Sequence, residues 1–133
     1  MRVKELNDEP TTLPSGPILS AGGKYLFGMV DSGLVAVDSA SLEIVWCASA
    51  EMSLLGVGAY RPRSRMVNTS PVLVDDSTVC AACADGIIHF WDLATGAEKR
   101  RIATGAPYLA GAMVSDGRLF AADMSGMLRM FPV

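Results

Sequence analysis

A repeating pattern of short apolar runs and tight turns constrains this chain more than any other feature. The clearest copy is Thr78 to Gly96, TVCAACADGIIHFWDLATG, where two apolar runs each end at a turn signal. Asp85-Gly86 forms the first signal and Asp92 begins the second, and such residues are typical of hairpin turns. The stretch therefore predicts a strand, a tight turn, a second strand and a second turn.

Two further copies lie at offsets of 54 and 40 residues. The matches between the first and second copies, which need no gap, are Pro17 with Pro71, Asp31 with Asp85, Asp38 with Asp92, and Trp46 with Arg100. Between the second and third copies, Gly86 matches Gly126 and Trp91 matches Phe131. The offsets differ by 14 residues, which we assign to an insertion in the loop at residues 50–69.

The first two copies each predict four short strands, and the third predicts three. Strands such as Val79 to Ala84 are apolar on both faces, and 50% of all residues are hydrophobic while 19% are charged. A sheet that is apolar on both faces has to be stacked between other sheets. Repeated four-stranded units of about 40 residues are typical of β-propeller blades. We therefore predict an all-β partial β-propeller of about three four-stranded antiparallel blades, the last incomplete.

The predicted blades lie at about residues 17–48, 70–103 and 107–133. In the first blade the fourth strand is predicted at Leu42 to Cys47. In the third blade the first strand is predicted at Leu109 to Val114. Residues 1–16 are polar and contain two prolines, so they predict a linker or an edge strand.

The residue pattern of the repeat resembles that of the PQQ-type (quinoprotein-like) β-propellers. Ser70-Pro71-Val72, Ala84-Asp85-Gly86, Trp91-Asp92 and Thr95-Gly96 carry this resemblance. Phe90-Trp91-Asp92-Leu93 also resembles the end of a WD repeat, which is our second choice because the Gly-His element of WD repeats is missing ahead of every unit. Both resemblances imply a propeller.

The PQQ-type resemblance also implies that a Trp at the end of a fourth strand docks against the next blade. Trp46 matches that position, whereas Arg100 replaces it in the second unit and predicts weaker docking there. We interpret a set of recurring residues as structural parts of the repeat: Pro17, Asp31, Asp38, Trp46, Pro71, Asp85, Gly86, Trp91, Asp92, Gly96 and Gly126.

About three blades do not close a ring, because propellers have at least about four. The expected partners are therefore the remaining blades of a propeller or another copy of the chain. The expected function is a non-catalytic repeat module for binding or scaffolding, as a fragment or subunit of a larger propeller. The alternative is a propeller segment of an enzyme: a quinoprotein dehydrogenase, or an appendage to a phosphoesterase, kinase or adenylating enzyme. We expect no cofactor, since PQQ requires a completed ring.

No arrangement of residues in the sequence predicts catalysis or a metal site. The single histidine, His89, falls within a predicted strand, and nucleophilic catalysis requires a base beside a nucleophile. Cys80-Ala-Ala-Cys83 has the spacing of half a zinc or redox site, but residues three apart in a strand point to opposite faces. We interpret these cysteines, with Cys47, as small apolar residues in a sheet.

The insertion is the best candidate for ligand or partner binding. It places Tyr60, Arg61, Arg63 and Arg65 close together in an otherwise acidic chain. Arginines beside an aromatic ring can hold a carboxylate or a phosphate, so the expected partner is an anionic ligand or an acidic protein segment. The alternative is a loop whose charges serve only solubility.

The net charge of −3 argues against a nucleic-acid surface. No apolar run approaches the roughly 18 residues of a membrane span. The first residues lack the apolar stretch of a secretory signal, so a complete chain is expected in the cytoplasm. For a piece of a longer protein, the sequence predicts no location.

Overall fold

The structure is a computed structural model that describes residues 18–29, 33–55, 65 and 67–133. It contains three antiparallel sheets, each built from strands that are consecutive in the chain. Two sheets have four strands and one has three, in agreement with the predicted blades. Within the described ranges there is no helix of the length and apolar character that crossing a membrane requires.

Each sheet is one blade. The strands of blade one are β1 (Leu19–Ala21), β2 (Lys24–Met29), β3 (Gly33–Asp38) and β4 (Ile44–Ala48). The strands of blade two are β5 (Val72–Asp75), β6 (Thr78–Ala82), β7 (Ile87–Asp92) and β8 (Glu98–Ala103). The strands of blade three are β9 (Met113–Ser115), β10 (Arg118–Ala122) and β11 (Leu128–Pro132).

Alternation along the central strands gives every blade two apolar faces. We call the face toward the preceding blade the front face and the face toward the following blade the rear face. In blade two, Val79 pairs with Trp91 on the front face, while Cys80 pairs with Phe90 on the rear face. Because both faces pack against another blade, the central strands β6 and β7 are almost entirely buried.

Two apolar clusters hold the three blades together. The first joins the rear face of blade one to the front face of blade two, and includes Leu26 and Leu34 with Val79 and Trp91. The second joins blades two and three in the same way. Its central members are Cys80, Ala82, Ile88, Phe90, Leu119 and Ala121. The sequence repeat thus produces the same type of apolar interface between each pair of neighbouring blades.

The aspartates predicted to begin turns do so. Asp38 Oδ1 accepts hydrogen bonds from the backbone N–H groups of Ala40 and Ser41, at 2.9 and 2.8 Å. Its counterpart Asp92 accepts the equivalent bonds from Ala94 and Thr95. Each carboxylate therefore satisfies backbone donors in the turn that leads into the fourth strand.

Trp46 joins blade one to blade two, as the resemblance implied. Its Nε1 donates to the carbonyl oxygen of Leu93 at 3.1 Å. Its ring lies over Gly96, whose φ is 75° and where a Cβ atom would come within 2.6 Å of the ring. Arg100 instead lies over the ring of Phe90 in its own blade, with 5.1 Å from Cζ to the centroid.

The predicted starts of two strands are too early, and the strand predicted at Val79 to Ala84 ends at Ala82. The fourth strand of blade one begins at Ile44 rather than Leu42, because Leu42 has a φ of 64° and donates to the carbonyl oxygen of Asp38 within the turn. The first strand of blade three begins at Met113 rather than Leu109. There the chain is held to blade two instead, through the N–H of Tyr108 and the carbonyl oxygen of Cys83.

Among the other motif residues, Pro71 is buried just ahead of β5. Gly86 and Gly126 have φ values of 77° and 85°, as their tight turns require. Pro17 and Asp31 lie outside the described residues.

Candidate functional site

Asp85 lies in the turn between β6 and β7 and uses both of its carboxylate oxygens. Oδ1 accepts a hydrogen bond from the N–H of Ile87 at 2.9 Å, which is the turn role expected from the sequence. Oδ2 accepts from the N–H of Glu51 at 2.8 Å and lies 2.6 Å from Nε2 of His89. The turn aspartate therefore also ties the segment that leaves blade one to the front face of blade two.

His89 is fully buried on the front face of β7 between two carboxylates. Its Nε2 faces Asp85 and its Nδ1 lies 2.6 Å from Oε1 of Glu98. Each ring nitrogen therefore faces a carboxylate oxygen at hydrogen-bonding distance. Burial lowers the pKa of His89, but the hydrogen bonds with Asp85 and Glu98 outweigh burial and leave the pKa above its ordinary value. The ring also stacks on Trp91, with centroids 5.2 Å apart.

A chain of ion pairs continues from His89 to the surface. Arg101 donates from Nη2 to Glu98 Oε2 at 2.6 Å and from Nη1 to Glu51 Oε1 at 3.2 Å. Burial raises the pKa of Glu98, yet hydrogen bonds from Arg101 and His89 bring it below its ordinary value. Nη1 of Arg65 lies 4.0 Å from Glu51 Oε2 at the outer end. These outer pairs are partly exposed, so each contributes little to stability by itself.

The two cysteines of the Cys-Ala-Ala-Cys stretch lie on opposite faces of blade two, in agreement with strand alternation. Cys80 belongs to the apolar cluster shared with blade three, and Cys83 to the one shared with blade one. Burial raises the pKa of the Cys80 thiol to about 12. Burial also raises that of Cys83, with a further contribution from the nearby Asp85. Both thiols are therefore protonated at neutral pH.

Cys83, Asp85 and His89 nevertheless form one compact group. Their ligand atoms, namely the sulfur, a carboxylate oxygen and a ring nitrogen, all lie within 4.8 Å of one another. All three residues are buried. The spacing in the sequence suggested Cys80 as the partner of Cys83. In the fold, the polar neighbours of Cys83 are instead Asp85 of the following turn and His89 of the following strand.

The candidate binding residues of the insertion are only partly described. Arg65 is exposed, and its carbonyl oxygen accepts a hydrogen bond from the N–H of Ala50 at 3.2 Å. Tyr60, Arg61 and Arg63 lie outside the described residues. Binding of an anionic ligand or an acidic segment by this loop stays a prediction.

Several polar residues of the site have no signal in the sequence. Glu51, Glu98 and Arg101 come from a loop and an outer strand, and no spacing relates them to His89. Asn68 is another case: its Oδ1 accepts from the N–H of Ala84, and its Nδ2 donates to the carbonyl oxygen of Tyr108, both at 2.8 Å. A fully apolar strand interrupted by one histidine was the only hint of a buried polar network here.

A second notable surface is the rear face of blade three. Phe120 pairs with Met130, and Ala122 with Leu128, on the face that points away from blade two. Met113 of β9 pairs with Phe120 and extends the row. We call these five residues the blade-three rear face. Met113, Leu128 and Met130 are exposed large apolar residues.

Solved structures similar to this chain include BamB from Moraxella catarrhalis, with a TM-score of 0.73, 25% sequence identity, and coverage of 93% of this chain and 35% of BamB. The computationally designed Ika8 protein is similar with a TM-score of 0.60 and 15% identity, over 87% of this chain and 32% of Ika8. The β-propeller domain of Myceliophteria thermophila Cps50 (Swd1) has a TM-score of 0.59 and 15% identity, over 94% of this chain and 41% of that domain.

The chain thus spans between 32% and 41% of the length of these three structures. No protein-family model matches the chain, and no curated protein sequence matches it. The stacked antiparallel sheets and the propeller neighbours together confirm the predicted fold class. The chain folds as a partial β-propeller of three antiparallel blades, the last of which has three strands.

Proposed function

We propose that this chain is a scaffold segment of a β-propeller and that its blade-three rear face binds a further blade of the same repeat type. The main support is a comparison of the solvent exposure of equivalent rear-face residues in the three blades. Leu34, Ile88 and Leu128 occupy the same position on the rear faces of blades one, two and three. Leu34 and Ile88 are 0% exposed, whereas Leu128 is 71% exposed.

The other residues of the blade-three rear face also have blade-two counterparts that the following blade buries. Cys80, Ala82 and Phe90 are the blade-two counterparts of Phe120, Ala122 and Met130, and all three are buried beneath blade three. Removing apolar surface from water stabilises by roughly 25 cal/mol per Å². A blade that covered this face would gain the same kind of contact that joins the blades already present.

The front faces of the chain indicate what such a partner looks like. Val79 and Ala81 pack on blade one, and Leu119 and Ala121 pack on blade two. The partner blade is therefore expected to present small or branched apolar side chains at these two positions. The sheet of blade three also has no fourth strand in the described residues, because β11 pairs only with β10, whereas its counterparts β3 and β7 also pair with a fourth strand.

We further propose that the repeat is of the PQQ type. The buried Pro71 ahead of β5 and the turn capped by Asp92 support this assignment. So does the docking of Trp46 on the turn at Gly96. A scaffold rather than a catalytic role for this segment is supported by His89, whose two ring nitrogens are both engaged by carboxylates. Neither nitrogen is therefore free to act as a general base on a substrate.

The proposal is tested by placing a charge on the blade-three rear face. In the isolated chain, a second copy can cover this face, so average mass is expected to rise with protein concentration in analytical ultracentrifugation. Leu128→Lys should keep the chain monomeric over the same concentrations, because docking would bury an unpaired ammonium group.

Val45→Lys is the matched control, since Val45 is an exposed apolar residue on β4 of blade one. It should associate as the unmodified chain does. Identical sedimentation of all three proteins would contradict the proposal.

A further inference from the structure

The compact group at the front of blade two contains three kinds of metal-binding atom. Cys83 follows β6, Asp85 lies in the next turn, and His89 lies on β7. Their sulfur, oxygen and nitrogen atoms lie within 4.8 Å of one another. Ligands of a tetrahedral zinc ion, at about 2.0 to 2.3 Å from the metal, are roughly 3.3 to 3.8 Å apart. Shifts of about 1 Å would therefore bring all three atoms around one ion.

Two of the three side chains are already oriented for such an ion. Glu98 accepts from Nδ1 of His89 at 2.6 Å, which directs Nε2 toward Asp85 and Cys83. A carboxylate behind a metal-binding histidine is the usual arrangement that fixes the ring and raises its basicity. Asp85 is fixed in turn through Oδ1 by the N–H of Ile87. The remaining oxygen, Oδ2, points to the ring.

Among the described residues, the Cys83 side chain has one weak hydrogen-bond partner. Its sulfur lies 3.7 Å from the carbonyl oxygen of Ala81, a contact that gains little for a buried thiol. Between His89 Nε2 and Asp85 Oδ2, 2.6 Å apart, a proton now separates the nitrogen from the carboxylate. A divalent cation could take the place of this proton between His89 Nε2 and the Asp85 carboxylate. Its positive charge would also neutralise a thiolate at Cys83.

We propose that Cys83, Asp85 and His89 bind a zinc-type divalent cation, with Glu98 as the positioning residue of His89. The mixed sulfur, nitrogen and oxygen set selects zinc or a similar transition metal over calcium or magnesium, which take oxygen ligands. Three protein ligands leave a fourth position for a water molecule. This site is independent of docking at the blade-three rear face, because it lies on the front face of blade two. It also differs from the zinc half-site considered for Cys80 and Cys83, since Cys80 takes no part.

Cobalt(II) is a suitable probe, because a cobalt–thiolate bond gives a charge-transfer absorption band. All proteins would carry Cys47→Ser, since Cys47 is an exposed cysteine. The reduced, metal-free protein should show this band at one equivalent of cobalt, and zinc should displace the cobalt. Absence of a cobalt–thiolate band in this protein would overturn the proposal without any further variant.

Variants then assign the ligands. Cys83→Ser should abolish the band, whereas Cys80→Ala, which removes the other buried thiol, should keep it. Glu98→Gln should keep the band but weaken zinc affinity by about 10- to 100-fold, as removal of such positioning groups does. A band that survives Cys83→Ser, or one lost equally in Cys80→Ala, would overturn the assignment. Circular dichroism of each variant checks that the blades are intact.

Discussion

At the residue scale, one pair of repeat positions carries different polar chemistry in two blades. Cys83 and His89 of blade two correspond to Asp123 and Arg129 of blade three at the offset of 40. In blade three the pair forms a direct ion pair, with 2.8 Å between Arg129 Nε and Asp123 Oδ2. In blade two, His89 is held by carboxylates from outside the pair. The same backbone thus supports two ways of burying charge on a front face.

Asp123 should make stability depend on pH in the acidic range. Hydrogen bonds from Ser125 and Arg129 lower its pKa from the ordinary 3.8 to about 2. A group whose pKa is lowered by folding stabilises the fold above its unfolded pKa, and this contribution is lost as the pH falls through the folded pKa. The stabilisation is therefore complete at neutral pH and disappears between about pH 4 and pH 2.

Asp123→Asn tests this directly, because the amide can still accept the turn hydrogen bonds. Urea unfolding should show the variant to be less stable than the unmodified chain at neutral pH, with a difference that shrinks toward pH 2. Arg129→Gln should show the same trend, since it removes the cation of the pair. A difference that stays constant over this range would contradict the role of the ion pair.

At the element scale, blades dock through a few specific contacts in addition to the apolar clusters. The resemblance to PQQ-type repeats implied that Trp46 docks on the next blade, because a Trp often ends the fourth strand in that family. It did not predict where the ring lands. The structure shows it over Gly96, in the turn that Asp92 caps. Thr95-Gly96 thus serves both the turn and the interface.

Gly96→Ala should weaken the docking of blade one on blade two. A left-handed φ costs a non-glycine residue about 1–2 kcal/mol, and overpacking against the Trp46 ring adds about 1–3 kcal/mol. Gly126→Ala is the matched control, since its φ is 85° but no atom of the described residues lies within 4 Å of the added Cβ. Thermal or urea unfolding should show the larger loss for Gly96→Ala. Equal losses would mean that the ring contact contributes nothing.

The periodic features of the molecule could be predicted from the sequence, and the non-periodic ones could not. Repeated aspartates such as Asp38 and Asp92 predicted the turns, because their capping role depends only on nearby backbone. The network from Asp85 through His89 to Arg101 depends on which strands and loops lie next to each other in the fold. The spacing of residues in the sequence does not predict this. The start of the fourth strand predicted at Leu42 is wrong for a local reason. Leu42 is apolar, as a strand residue would be, but it adopts a left-handed φ within the turn.

At the scale of the whole molecule, three blades stack through one interface that is used twice. The rear face of blade one meets the front face of blade two, and the rear face of blade two meets the front face of blade three. The blade-three rear face offers the same surface a third time. We expect a fourth blade that is added in phase with the repeat to dock there.

The most direct test is to extend the chain by its own repeat. Val133 matches Leu93 at the offset of 40, so residues 94–133 can be added after Val133 with the repeat in phase. The added segment would complete blade three and supply a further blade, with leucine replacing its methionines. Met113 and Met130 of the original chain then report on the blade-three rear face, because both are exposed before the extension.

Peroxide oxidation, read by peptide mass spectrometry, compares each methionine in the extended and unextended chains. Met52 is the internal control, since it is exposed in the loop after blade one and is not part of the blade-three rear face. We expect oxidation of Met113 and Met130 to slow severalfold in the extended chain, while oxidation of Met52 is unchanged. Equal oxidation of Met113 and Met130 in both chains would show that no fourth blade covers the blade-three rear face.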